Sequence, residues 1–352
     1  MLKAPQFKKN LKTFNLLIMK IQAVLFLALV NIISSCSDHQ GVKIGMMLPN
    51  LESERYPKDR DFFIAKVKEL GGEVIATDAK ENDALQIKQA SELLTQGVKV
   101  LVVVPVNKNT AALIVREAHK KGVKVIAYER IICNCDLDYF VSFNNVKVGE
   151  LMASYAVKIK PKGNYVLFGG DKSDQNAIWV RQGQRNIIDP LIKSGKIEVT
   201  FDTFIENWSM EEAKHQMNTY LNLSGSVPDV VLSAYDGIST GVINAIDNNS
   251  PTNDYPVITG QNAELEACRN ILRGKQSMTI YKPILKEAQE AAILAMKCGN
   301  KETITGLKTS INNGSVEVPS ILIEPIDINI TNMKDILISE GFFAASELEN
   351  GL

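Results

Sequence analysis

Between residues 42 and 130 the chain alternates short apolar runs with amphipathic stretches of helical length, a pattern that admits few folds. The run that opens 122–130 has the character of a buried parallel strand and 98–104 is almost wholly apolar, while 42–48 and 73–77 read as further strands. Between them, 56–70, 83–96 and 110–121 carry apolar residues at helical spacing, with Phe62, Phe63, Val67 and Leu70 on one face of the first. Glycines at 71–72, 97 and 122 stop these helices, the usual use of glycine just past a helix end. Strand–helix–strand units of this length pair in parallel through right-handed crossovers. A short strand at 140–143 closes the set.

The pattern then restarts. Helices are expected at 146–159, 177–193, 210–221, 238–247 and 263–273, and strands at 163–169, 197–204, 229–234 and 256–259. A β-rich segment at 277–281, a long helix at 284–298, an extended tail at 318–328 and a helix at 333–340 follow. A chain of 352 residues has material for about two domains. The fold class is therefore α/β, with two α/β units whose strands pair in parallel.

Several chemistries are unsupported. The formal net charge is −1 with both signs scattered, so no basic stripe points to nucleic acid. His39, His119 and His215 are the 3 histidines and lie far apart, which leaves no metal or histidine-based catalytic pattern. Gly169 and Gly170 follow a strand without dinucleotide-binding spacing, and neither a phosphate-binding loop nor a nucleophile elbow occurs. No cofactor, metal or enzymatic activity is expected. Cys133 and Cys135 are too close for an easy bridge and no second Cys or His cluster accompanies them, so with Cys268 and Cys298 they read as free or incidental thiols, and spacing alone gives no pairing.

Residues 19–36, MKIQAVLFLALVNIISSC, have a lysine, an apolar core at 23–30 and small residues before a cysteine. That is a secretory signal, and its core is short of the about 20 apolar residues a membrane span needs. The ending Ile33-Ser34-Ser35-Cys36 resembles a bacterial lipobox, so 1–36 is read as a signal peptide with Cys36 lipidated. Met19 is a second candidate start. The body is expected to be exported, periplasmic and held at the membrane by its lipid anchor.

Polar and aromatic residues recur at the carboxyl ends of the expected strands, where open α/β sheets bind ligands. They are Glu54, Arg55 and Tyr56 after the first strand, and Glu129 and Arg130 after the fourth. In the second half they are Asp174 and Asn176, then Trp208, then Tyr235 and Asp236, then Gln261 and Asn262. Tyr281 and Lys282 sit where the chain returns to the first half. Such groups satisfy many hydroxyls, and aromatic rings cover the apolar face of a sugar.

The segments KIGMMLPNLESERYPKDRDFF, VLVVVPVN, KVIAYERII, VSFNNVKVGELMA, GNYVLFGGDKSDQNA, TGQNAEL, MTIYKPI, NNGSVEVPS and EPIDI occur in order. From about residue 43 to near 348 the chain resembles the bacterial xylose-binding proteins, sugar-binding components of ABC transporters in the type I periplasmic binding protein family. The resemblance implies two Rossmann-like parallel-sheet domains joined by a three-segment hinge, with crossings near 140–146, 279–283 and 322–327. One lobe would comprise 42–143 plus 283–321 and the other 144–280 plus 322–350. It also implies a monomer that encloses a monosaccharide, xylose or a related pentose, and delivers it to ABC transporter permease subunits. A membrane histidine kinase that senses the closed form is the alternative partner.

Carried over by position, Arg55, Arg130, Asn176, Trp208, Asp236 and Lys282 match the family's sugar-binding residues. Four positions depart from it. Tyr56 stands in place of a stacking tryptophan, Glu129 in place of an aspartate, Tyr235 in place of an asparagine and Asn262 in place of an aspartate.

Overall fold

The computed structural model describes residues 41–53, 55–249 and 254–349. The signal segment 1–36, Cys36 and Glu54 lie outside the described residues.

The central apolar runs become strands covered on both faces, while Glu73–Asp78 at the sheet edge keeps none of its residues fully buried. The first half contains β1 (Lys43–Leu48), α1 (Arg55–Glu69), β2 (Glu73–Asp78), α2 (Asp83–Thr95), β3 (Val100–Val103), α3 (Ala112–Lys120), β4 (Lys124–Tyr128) and β5 (Tyr139–Phe143). In β3, Leu101 and Val103 enter one apolar cluster while Val100 and Val102 enter the cluster on the opposite face. That two-residue period is what a strand imposes on its side chains. Each such side chain stabilises the fold by about 1.5–3 kcal/mol on leaving water.

The second half contains α4 (Asn145–Ile159), β6 (Gly163–Gly169), α5 (Gln175–Lys193), β7 (Ile197–Phe204), α6 (Met210–Ser224), β8 (Val230–Ser233), α7 (Asp236–Asn249), β9 (Val257–Ile258) and α8 (Leu265–Leu272). Then follow β10 (Met278–Tyr281), α9 (Ile284–Gly299), β11 (Thr309–Asn312), β12 (Glu317–Ile323), β13 (Ile326–Asn329), α10 (Met333–Ser339) and α11 (Ala345–Glu349).

These strands form two parallel sheets. The first has seven strands in the order β11-β12-β5-β4-β3-β1-β2, parallel except for the antiparallel edge strand β11. The second runs β7-β6-β8-β9, all parallel. An antiparallel ribbon, β10 with β13, joins the second sheet through the chain just past β9. Ile280 donates its N–H to Gly260 C=O at 3.0 Å, and Asn262 donates to Ile280 C=O at 2.8 Å.

The chain passes from one sheet to the other three times. It leaves β5 for α4, returns from β10 into α9, and leaves β12 for β13. Helix α9 belongs with the first sheet: Ala288, Ala291, Ala292 and Ala295 pack with Ile44, Met46 and Phe63. The tail expected as one extended segment at 318–328 is instead two strands in different sheets, broken at Glu324-Pro325. Strand β11 was not expected. Its residues alternate too little in polarity to announce a strand, and it forms by pairing with β12 at the sheet edge.

Candidate functional site

A cavity of about 730 Å³ lies where the carboxyl ends of strands from both sheets face each other, within the usual range for small-molecule sites. Arg55, Tyr56, Glu129, Arg130, Asn176, Trp208, Tyr235, Asn262 and Lys282 all line it, as do Asp174 and Gln261.

The wall supplied by the first sheet is built on buried charge. Helix α1 begins at Arg55, so its first turn puts Arg55 and Tyr56 beneath the cavity. Arg55 Nε pairs with Asp59 Oδ2 at 2.7 Å one turn along. One terminal nitrogen bonds Glu287 of α9, and the other lies 3.6 Å from Glu129 Oε1. Asp59 also accepts the hydroxyl proton of Tyr128, the last residue of β4. Burial would raise the Glu129 carboxyl, but Arg55, Lys282 and Arg130 outweigh it and hold Glu129 below the usual carboxylate range. Burial draws the Lys282 ammonium down to about 8 against the pull of Glu129.

Contacts across the cavity tie this wall to the second one. Asn176, in the first turn of α5, donates from Nδ2 to both the backbone oxygen and Oε1 of Glu129, each at 3.0 Å. Asn145 donates to Asn176 Oδ1 at 2.9 Å, which fixes the amide's orientation. Asp174 caps α5 by accepting the Asn176 N–H at 2.8 Å and meets Arg130 Nε at 3.1 Å. Burial pushes the Asp174 carboxyl up to about 6, with Arg130 opposing. The Arg130 guanidinium lies 5.8 Å over the Tyr56 ring, within cation–π range.

In the second wall, Trp208 and Tyr235 meet edge to face with centroids 6.0 Å apart. The Tyr235 hydroxyl donates to Glu264 Oε1 at 2.5 Å. Backbone strain concentrates at the cavity. Glu129, Asn207, Trp208 and Asn262 line it with φ of 62°, 54°, 55° and 96°, a region side chains other than glycine rarely occupy and one that functional sites retain.

Three polar groups stand ready for a partner. Among the described residues, Trp208 Nε1 and Gln261 Oε1 are buried with no hydrogen bond. Lys282, 3 % exposed, brings its ammonium to the same cavity. A buried polar atom left unmatched costs about 1–3 kcal/mol, so a guest that accepts from Trp208 and donates to Gln261 gains more than the contacts alone.

Asp236 is a correction to the sequence reading, because it does not line the cavity. It opens α7 with 0 % exposure, and its carboxylate accepts from Thr279 Oγ1, Gln276 Nε2 and the Glu264 N–H, each at 2.9 Å. It ties α7 to β10 and to the turn before α8. Burial, with Glu264 adding, pushes its carboxyl well above the usual range. Conversely, Asn50 and Asn107 line the cavity and went unnamed, although each follows an expected strand as the named residues do. Cys133, Cys135 and Cys268 are buried and Cys298 is half-buried. Among the described residues no cluster of three His, Cys, Asp or Glu could hold a metal ion.

A family model described as a periplasmic binding protein domain matches residues 44–302. The D-xylose-binding periplasmic protein of Escherichia coli strain K12 is 39% identical over 335 residues, covering 94% of this chain and 100% of that protein. The D-xylose-binding periplasmic protein of Haemophilus influenzae is 38% identical, covering 92% of this chain and 98% of its own. A solved ABC transporter solute binding protein from Clostridium phytofermentans with bound β-D-glucose superposes with a TM-score of 0.82 at 28% identity, covering 87% of this chain and 99% of that one.

Proposed function

Since the chain belongs to the periplasmic binding protein family, we propose that it captures a monosaccharide, xylose or a related pentose, and delivers it to the permease of an ABC transporter. The observation that carries this reading is a pair of buried polar atoms, Trp208 Nε1 and Gln261 Oε1, with no hydrogen bond among the described residues, beside the Lys282 ammonium in one cavity between two sheets. Polyhydroxylated guests supply donors and acceptors together, whereas an apolar guest would leave these groups unmatched.

In this reading the two walls divide the labour. Arg55, Tyr56, Glu129, Arg130 and Lys282 form one side of the grip, and Asn176, Trp208, Tyr235 and Asn262 the other. The lobes are 42–143 plus 283–321 and 144–280 plus 322–350, moving about the three crossings. A sugar that touches both lobes favours the closed form through its greater affinity for that form. The xylose-binding names of the two relatives support the pentose. Lipidation at Cys36 would hold the protein beside its membrane partner and raise its effective concentration there.

Titration calorimetry with a panel of aldopentoses and aldohexoses tests the reading. One-to-one binding, strongest for a pentose, is the expected result. An absence of heat with every sugar of the panel would overturn it.

A further inference from the structure

We propose that Gly170 is a positioning residue, the seat that fixes the plane of the Trp208 indole. The inference rests on the reading of Trp208 as a ring that faces the sugar. Gly170 lies just past β6, and its φ falls outside the left-handed region, so its backbone suits any residue. What the site does not admit is a side chain. A Cβ at this position would lie 2.1 Å from both Cη2 and Cζ3 of Trp208 and 2.4 Å from Cε3. Three carbons of the indole therefore rest directly on the main chain at Gly170.

The next residue holds the other end of the tryptophan. Asp171 accepts the Asn207 N–H at 2.6 Å through one oxygen and the Ser173 N–H at 2.6 Å through the other. This anchors the turn in which Asn207 and Trp208 take φ of 54° and 55°. Ring and backbone are thus held by neighbouring residues of one segment, with the Tyr235 ring against the indole at 89°. A ring fixed before the ligand arrives loses no rotamer freedom on binding, and its unmatched Nε1 keeps its aim.

The chain has 2 tryptophans, so Trp179→Phe leaves Trp208 as the single tryptophan, excited selectively beyond the tyrosine absorption band. In that background Gly170→Ala should shift the Trp208 emission maximum and raise acrylamide quenching while the circular dichroism stays unchanged. Affinity for the sugar that calorimetry identifies should fall roughly three- to tenfold, the scale of one well-placed aromatic contact. Added to Trp208→Ala, the same substitution should change affinity by less than about twofold, because the group it acts through is gone. Asp171→Asn, which keeps one acceptor of two, should shift the emission in the same direction.

Unchanged emission and quenching in Gly170→Ala would overturn the proposal whether or not a sugar binds. So would equal affinity losses with and without Trp208. If Gly170→Ala does not fold, unchanged emission in Asp171→Asn overturns it instead. A parent protein that binds no sugar refutes the proposed function alone, and the emission arms still decide the seat.

Discussion

Replacing Arg55 by methionine tests how charge is balanced beneath the cavity. Arg55 is 8 % exposed, and Asp59 and Glu287, both paired with it, are 0 % exposed. Methionine fills much of the volume of the arginine stem, so the main loss is the cation. Removing one partner of a buried ion pair costs about 3–5 kcal/mol. A second argument reaches the same size. An abandoned carboxylate can take up a proton, and the ceiling on that cost for a glutamate of ordinary pKa is about 3.7 kcal/mol at pH 7 and about 1 kcal/mol at pH 5, reached when the parent carboxylate is fully ionised.

Burial already holds Asp59 and Glu287 above their usual values with Arg55 opposing, and loss of Arg55 raises them further. Groups raised in this way stabilise the fold below their unfolded pKa, and that contribution is lost as pH rises. Arg55→Met should therefore cost about 4 kcal/mol at pH 7 and about 1 kcal/mol at pH 5. Urea unfolding followed by far-ultraviolet circular dichroism at both pH values measures this. A cost below about 1 kcal/mol at pH 7, or equal costs at the two pH values, would refute the reasoning.

Two further outcomes are expected. The Asp174 carboxyl, raised by burial to about 6, contributes stability that is present below its unfolded value of about 3.9 and lost as pH rises through the folded one. Asp174→Asn should therefore flatten part of the fall in melting temperature between pH 4 and 7, and parallel profiles for the two proteins would contradict this. In the α4–α5 contact, a Cβ at Gly183 would sit 2.0 Å from the Val146 carbonyl oxygen. Gly183→Ala should lower stability by about 1–3 kcal/mol as the helices part, and an unmoved urea midpoint would argue against so close a packing.

Much of the site was legible because of a rule of topology. Residues just past the carboxyl ends of parallel strands converge on one crevice, so Arg130, Asn176, Trp208, Tyr235 and Asn262 could be named from local pattern alone. Asp236 obeyed the same rule and still turned away. It is the first residue of α7, and the N–H and hydroxyl donors of Glu264, Gln276 and Thr279 capture its carboxylate. Position past a strand says where a backbone goes. The partners of its side chain come from other parts of the chain.

What the sequence determined by itself is the alternation of strand and helix, the parallel pairing and the level of the sheets at which a ligand would lie. These follow from local periodicity and from the few ways of covering a sheet whose strands are apolar on both faces. The tertiary structure decided how the buried charges are balanced. Glu287 meets Arg55 across 232 positions of chain, and only the packing of α9 beside α1 brings them together. It also decided that the Trp208 ring rests on Gly170, because which backbone a side chain lands on depends on how distant segments pack.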